Sequence, residues 1–110
     1  MRKTFLTIIG IVLTLVGLLG FVNNPVLGIF PVNGLHNLVH LLSGILCLVF
    51  AFQDDGKAKK FALIFGLVYL VVVIIGFAAP DAAASLLAID SSDNWLHVVL
   101  SIVFILLAIV

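Results

Sequence analysis

Four long apolar runs divide the chain, separated by short polar or proline-containing stretches. They cover 4–22, 35–52, 61–79 and 93–110. Each has about the 20 residues that an α-helix needs to cross a hydrocarbon core of about 30 Å. The fourth reaches the last residue without a polar flank. Either that helix ends at the membrane surface or the natural chain continues. Backbone groups in lipid must be satisfied internally, which leaves helices or barrel strands. Barrel strands would be about 10 residues long with alternating polarity, and no such alternation occurs. The expected fold is all-α, an integral membrane four-helix bundle.

Composition strengthens this reading. Hydrophobic types make up 65% of the 110 residues, charged types 9%, and the mean hydropathy is +1.45. A soluble domain is about 45–50% apolar and about 25% charged. So few charges cannot cover a water-facing surface, which excludes a soluble enzyme domain, a disordered chain and a nucleic-acid binder. The lipid bilayer is the expected partner, with a second copy or another membrane protein beside it. The single cysteine, Cys47, lies in an apolar run and reads as a small buried side chain.

The start, Met1-Arg2-Lys3 before an apolar run, imitates a secretory signal. However, the run ends Gly20-Phe21-Val22-Asn23-Asn24 without a small-residue cleavage pattern, and its length suits a full span. All five basic residues sit in two places: Arg2 and Lys3 before the first span, and Lys57, Lys59 and Lys60 in the loop 53–60. Four spans put both places on one side. The positive-inside rule then makes that side cytoplasmic in a cell membrane, with both termini there. Asp54-Asp55-Gly56 reads as a cytoplasmic turn. The two outer connections, 23–34 and 80–92, carry no Lys or Arg. The second opens on Pro80 before a run of alanines, which suits a short interfacial helix.

The halves read as a tandem repeat, 4–52 and 61–110. At an offset of 56, Phe5 meets Phe61, Gly10 meets Gly66, and Gly20-Phe21 meets Gly76-Phe77. At 57, Asn37 meets Asn94 and His40 meets His97, while His36 falls on Asp93. Two spans per repeat give two parallel αα-hairpins, related by a pseudo-twofold axis along the membrane normal. Small residues mark the faces that pack: Thr7, Gly10, Thr14 and Gly17 in the first span, Ala62, Gly66 and Gly76 in the third. Tyr69 shares the third stripe, and its hydroxyl needs a partner at membrane depth.

One constellation could carry chemistry. His36 and His40 stand four apart and share a helix face, which Ser43, Gly44 and Cys47 continue inward. Asp93 and His97 are also four apart. The repeat should bring His36, His40, Asp93 and His97 together at the outer end, with Asn37 and Asn94 beside them. Two such pairs on two helices match a tetrahedral zinc-type site for a divalent metal. Haem held by His40 and His97 is disfavoured, because a short bundle of branched side chains offers no wide planar cavity. Proton or solute passage is a third use, although four spans would need oligomers to enclose water. Against these stands a structural role in which Asn, His and Ser bond across helices and fix their pairing. That role leads the reading. Ser91 or Ser92 suits the cap of the fourth helix, and Trp95 suits an interfacial anchor. No catalytic motif is present, so no enzyme activity is expected.

The stretch Phe30-Pro31-Val32-Asn33-Gly34-Leu35-His36-Asn37-Leu38-Val39-His40, with the later Asp93-Asn94-Trp95-Leu96-His97, resembles the small bacterial membrane proteins grouped as domain-of-unknown-function family 4383. The resemblance covers nearly the whole chain. In the first copy Gly44 stands four residues after the second histidine, and in the second copy Ser101 does. The resemblance implies a four-helix integral membrane protein and no particular activity.

Overall fold

The computed structural model describes residues 1–23, 28 and 32–110. The remaining part of the connection 23–34, with its prolines and Asn24, lies outside the described residues. Five helices follow in order: α1 (Arg2–Val22), α2 (Gly34–Ala51), α3 (Asp55–Ala78), α4 (Pro80–Leu87) and α5 (Ser91–Ile109). Among the described residues there is no strand. All but α4 are long and apolar enough to cross a membrane.

Burial is inverted relative to a soluble domain. Large aliphatic side chains such as Ile8, Ile64 and Val99 are exposed, whereas His36, Asn37, His40, Asp93 and His97 are buried. In water such an apolar surface would drive aggregation. In lipid it is the solvated face, and the polar groups turn inward.

Local capping explains where the helices begin. Asp54 accepts the backbone N–H of Lys57, and Asp55 sits in the first turn, where a negative charge favours the helix dipole. The expected turn at 54–56 is therefore a helix start, and Lys57, Lys59 and Lys60 ride on α3. At α5 the cap is Asp90 rather than Ser91 or Ser92. Asp90 accepts from the N–H of Asp93, and Asp93 Oδ2 accepts from the N–H of Asp90, a reciprocal capping box. Pro80 opens α4, where its missing N–H costs nothing.

The helices pair as α1 with α2 and α3 with α5, and backbones approach closely along both seams. A Cβ added at Gly10 would lie 2.9 Å from Gly44 O, and one at Gly44 would lie 2.5 Å from Thr14 N. Gly17 faces Leu41 in the same way, and Gly66 faces Ile105. In the second hairpin, Ser101 Oγ donates to Gly66 O at 2.9 Å. The difference between Gly44 and Ser101 is thus two solutions to one crossing: bare contact in one hairpin, a hydrogen bond in the other. Toward the helix ends, a Cβ on Gly20 would sit 1.7 Å from Asn37 Oδ1, and one on Gly76 would sit 1.9 Å from Asn94 Oδ1. Asn94 Nδ2 donates to Gly76 O at 3.1 Å. Asn94 therefore ties its own hairpin by a hydrogen bond, and Asn37 packs into the space that Gly20 leaves.

At the end that carries the charges, Arg2 is buried and closes the bundle. Its Nε donates to Leu107 O at 2.7 Å, and another guanidinium nitrogen reaches the main-chain oxygen of Val110 at 2.5 Å. A third arm pairs with Asp55. Inside that end, Leu6, Phe61, Ala62 and Phe104 form the apolar core.

Candidate functional site

The opposite end holds a histidine triad between the two hairpins. His36 and His40 come from the first two turns of α2, and His97 from the second turn of α5. Asn33 caps α2 by accepting the N–H of His36, which fixes the turn that presents both imidazoles. The ring centroids of His36 and His40 are 4.4 Å apart, and each lies 6.0 Å from that of His97. All three rings are buried, and one ligand atom from each comes within 4.8 Å of the others.

The hydrogen bonds fix one tautomer. His36 Nδ1 lies 2.7 Å from the carbonyl oxygen of Leu87, at the end of α4. A carbonyl only accepts, so Nδ1 carries the proton and Nε2 of the neutral ring presents its lone pair. That Nε2 faces His40 Nε2 at 3.2 Å. Asn33 Nδ2 donates to Leu86 O at 3.0 Å, so α4 is tied to α2 twice. The last residue of the α4 turn, Ala88, adopts φ 55°, and its N–H and that of Ile89 close the helix.

Behind the triad, Tyr69 donates to Ser43 Oγ at 3.2 Å and lies 5.6 Å from the His97 ring. The tyrosine hydroxyl has the partner that its depth requires, and Ser43 supplies it. Further toward Arg2, Ser101 spends its hydroxyl on Gly66 O, and the buried positions beyond it, Phe61 and Phe104 among them, are apolar. Trp95 is exposed and packs edge-on against Phe77 at 5.4 Å.

Several polar atoms at this end have no partner among the described residues: Nδ1 of His40, Nδ1 of His97, and Oδ1 of Asp93, Asn37 and Asn94. An unsatisfied buried group costs about 1–3 kcal/mol. Five at one end is a concentration that a bound ion, ligand or ordered water would relieve.

The geometry brings together three of the four residues expected to ligate a metal. His36, His40 and His97 form the set, and Asp93 is outside it. One Asp93 oxygen is committed to the capping box, which the i,i+4 spacing alone could not reveal. Two participants carried no sequence mark. The Leu87 carbonyl is a main-chain group that every residue possesses, and Arg2 reads as a topology signal rather than a buried clasp.

Zinc binds imidazole nitrogen at about 2.0–2.1 Å, so two ligands at a tetrahedral angle stand about 3.3 Å apart. The 3.2 Å between the two Nε2 atoms fits that separation. His97 completes the set after a movement of about 1.5 Å inward, within the reach of a side-chain rotation. The bond from His36 Nδ1 to a carbonyl is the outer contact that orients a metal-bound histidine.

The sequence matches the family described as a domain of unknown function, DUF4383, over residues 3–110. No curated protein and no solved structure matches it.

Proposed function

The chain belongs to the DUF4383 family, and we propose that it is a multi-pass protein of the cell membrane that holds one zinc-type divalent ion on His36, His40 and His97. One observation carries the reading: His36, oriented through Leu87, aims an Nε2 lone pair at a second Nε2 only 3.2 Å away. Two facing nitrogens at that distance need either a shared proton or a shared cation. A cation on both Nε2 atoms leaves His40 Nδ1 protonated and free to donate. Three protein ligands leave a fourth position open, as in sites where zinc keeps a water or an exchangeable ligand.

A structural role without metal is the second reading, and the Tyr69–Ser43 bond favours it, because it joins the hairpins with no ion. Metal content separates the two. Detergent-purified protein, reconstituted with zinc and analysed by inductively coupled plasma mass spectrometry, should carry one zinc per chain. His40→Ala and His97→Ala should carry none, and Trp95→Ala should keep it. Wild type without stoichiometric metal leaves the structural role. A proton path through the bundle finds no support in the apolar positions between Ser101 and Arg2.

The proposed topology puts Arg2, Lys3 and the three lysines of α3 in the cytoplasm. In a background with Cys47 replaced, a cysteine at Ser85 should react with a membrane-impermeant maleimide on intact cells, and one at Lys57 should not. The reverse pattern would overturn the charge argument. We also propose that the hairpins are an internal repeat, since Gly20 and Gly76 meet Asn37 and Asn94 in the same way.

A further inference from the structure

A cavity of about 260 Å³ runs between α1 and α5 and ends at the triad. Its walls are aliphatic: Ile9, Leu13 and Val16 from α1, Leu96 and Leu100 from α5. Two polar residues border it, His40 and Asp93. Both are at least nine-tenths buried, and each has one polar atom without a partner, Nδ1 and Oδ1 respectively. The wall from Ile8 to Val16 covers about 12 Å of helix rise. Its Val16 end lies toward the histidine end of the bundle, and its Ile8 end toward mid-membrane.

This polarity gradient selects a ligand. A hydrocarbon chain satisfies the walls and leaves Asp93 Oδ1 without a donor. A carboxylate head sets charge against the Asp93 side chain. A hydroxyl donates one hydrogen bond and accepts another without bringing net charge into an apolar site. We propose that the cavity between α1 and α5 binds a neutral single-chain alcohol, its hydroxyl meeting Asp93 and His40 and its chain lying along α1. The orientation is that of an amphiphile in the leaflet at the histidine end, polar head at the surface and tail inward. With a cation on both Nε2 atoms, His40 Nδ1 carries a proton and donates to the hydroxyl; without one, Nδ1 only accepts and the hydroxyl keeps its bond to Asp93 Oδ1.

The test uses the full chain in phosphatidylcholine nanodiscs and a dodecanol carrying a diazirine in its tail. After irradiation, cross-links mapped by peptide mass spectrometry should concentrate on α1 between Ile8 and Val16 and on Leu100. Unlabelled dodecanol should compete about tenfold better than its methyl ether, the worth of one hydrogen bond to a charged acceptor. Asp93→Asn places an amide donor where the carboxylate only accepts, so it should abolish that preference. Val12→Trp, at the exposed mouth of the cavity, should remove the labelling while the protein stays folded. Zinc-free protein should still label on α1 and still prefer the alcohol to the ether, because that preference rests on Asp93, which keeps this result separate from the metal reading. Cross-links spread evenly over the lipid-facing residues would overturn the proposal, as would equal competition by the ether or unchanged labelling of Val12→Trp.

Discussion

The two ends of the bundle bury polar groups in opposite ways. At one end, Arg2 finds Leu107 O, Val110 O and Asp55, so a buried cation is fully employed by the chain itself. At the other, His40, His97, Asp93, Asn37 and Asn94 each keep a polar atom without a partner among the described residues. Arg2 reaches its partners at the rim, where Asp55 and Val110 stay exposed, whereas the histidine end buries its polar groups more completely. A closed set of bonds is what a structural clasp needs, and it leaves nothing to offer a ligand. An open set is destabilising by itself and becomes favourable when a ligand completes it.

Breaking the closed end should have the largest effect. Arg2→Gln removes the charge and takes the guanidinium donor from the buried Leu107 O, while the exposed Asp55 and Val110 turn to water. It should lower unfolding free energy by about 3 kcal/mol, the upper end for one charge-assisted hydrogen bond, here from the buried guanidinium to Leu107 O. Equilibrium unfolding in mixed detergent micelles measures it, and a loss no larger than for a surface arginine would remove the clasp from the account. Completing the open end should have the next largest effect, with the opposite sign. Zinc at about a hundredfold excess over its Kd should stabilise wild type by about 2.7 kcal/mol and His97→Ala not at all.

A third measurement asks whether the contrast belongs to the ends or to the hairpin seams. Gly76→Ala should cost about 2 kcal/mol through overpacking against Asn94, without altering zinc content. Metal loss in that variant would mean that seam and site are one unit. The smallest effect concerns α4, whose carbonyl orients His36. Ala88→Gly relieves a left-handed backbone and should raise stability by about 1 kcal/mol. A decrease would show that Ala88 contributes packing that outweighs its φ of 55°.

The sequence revealed most of the fold, because lipid imposes a length and a polarity that can be read directly. The paired spacing of His36 with His40 showed which faces turn inward, and Pro80 marked α4. Other features were hidden for identifiable reasons. Lysines at 57, 59 and 60 look like a loop by composition, yet the Asp54 cap carries the helix through them. Asp93 has ligand chemistry and ligand spacing, but Asp90 claims one of its oxygens. Asn37 sits between His36 and His40 in sequence and Asn94 between Asp93 and His97, while a rotation of about 100° per residue turns both onto the neighbouring helix. Arg2 and Leu107 are 105 residues apart. A bond to a main-chain oxygen at that distance leaves no sequence signature.

Gly20 and Gly76 bear on how a survey of substitutions across this chain would be interpreted. Each leaves room for an asparagine where any side chain would collide with it. In a selection for functional protein, these two positions would tolerate as little change as the histidines, although they offer no chemistry. Ranked by intolerance alone, the molecule would show a false site along its seams and blur the real one. Scoring each variant separately for yield and for metal retention would divide the positions that let the chain assemble from those that let it bind.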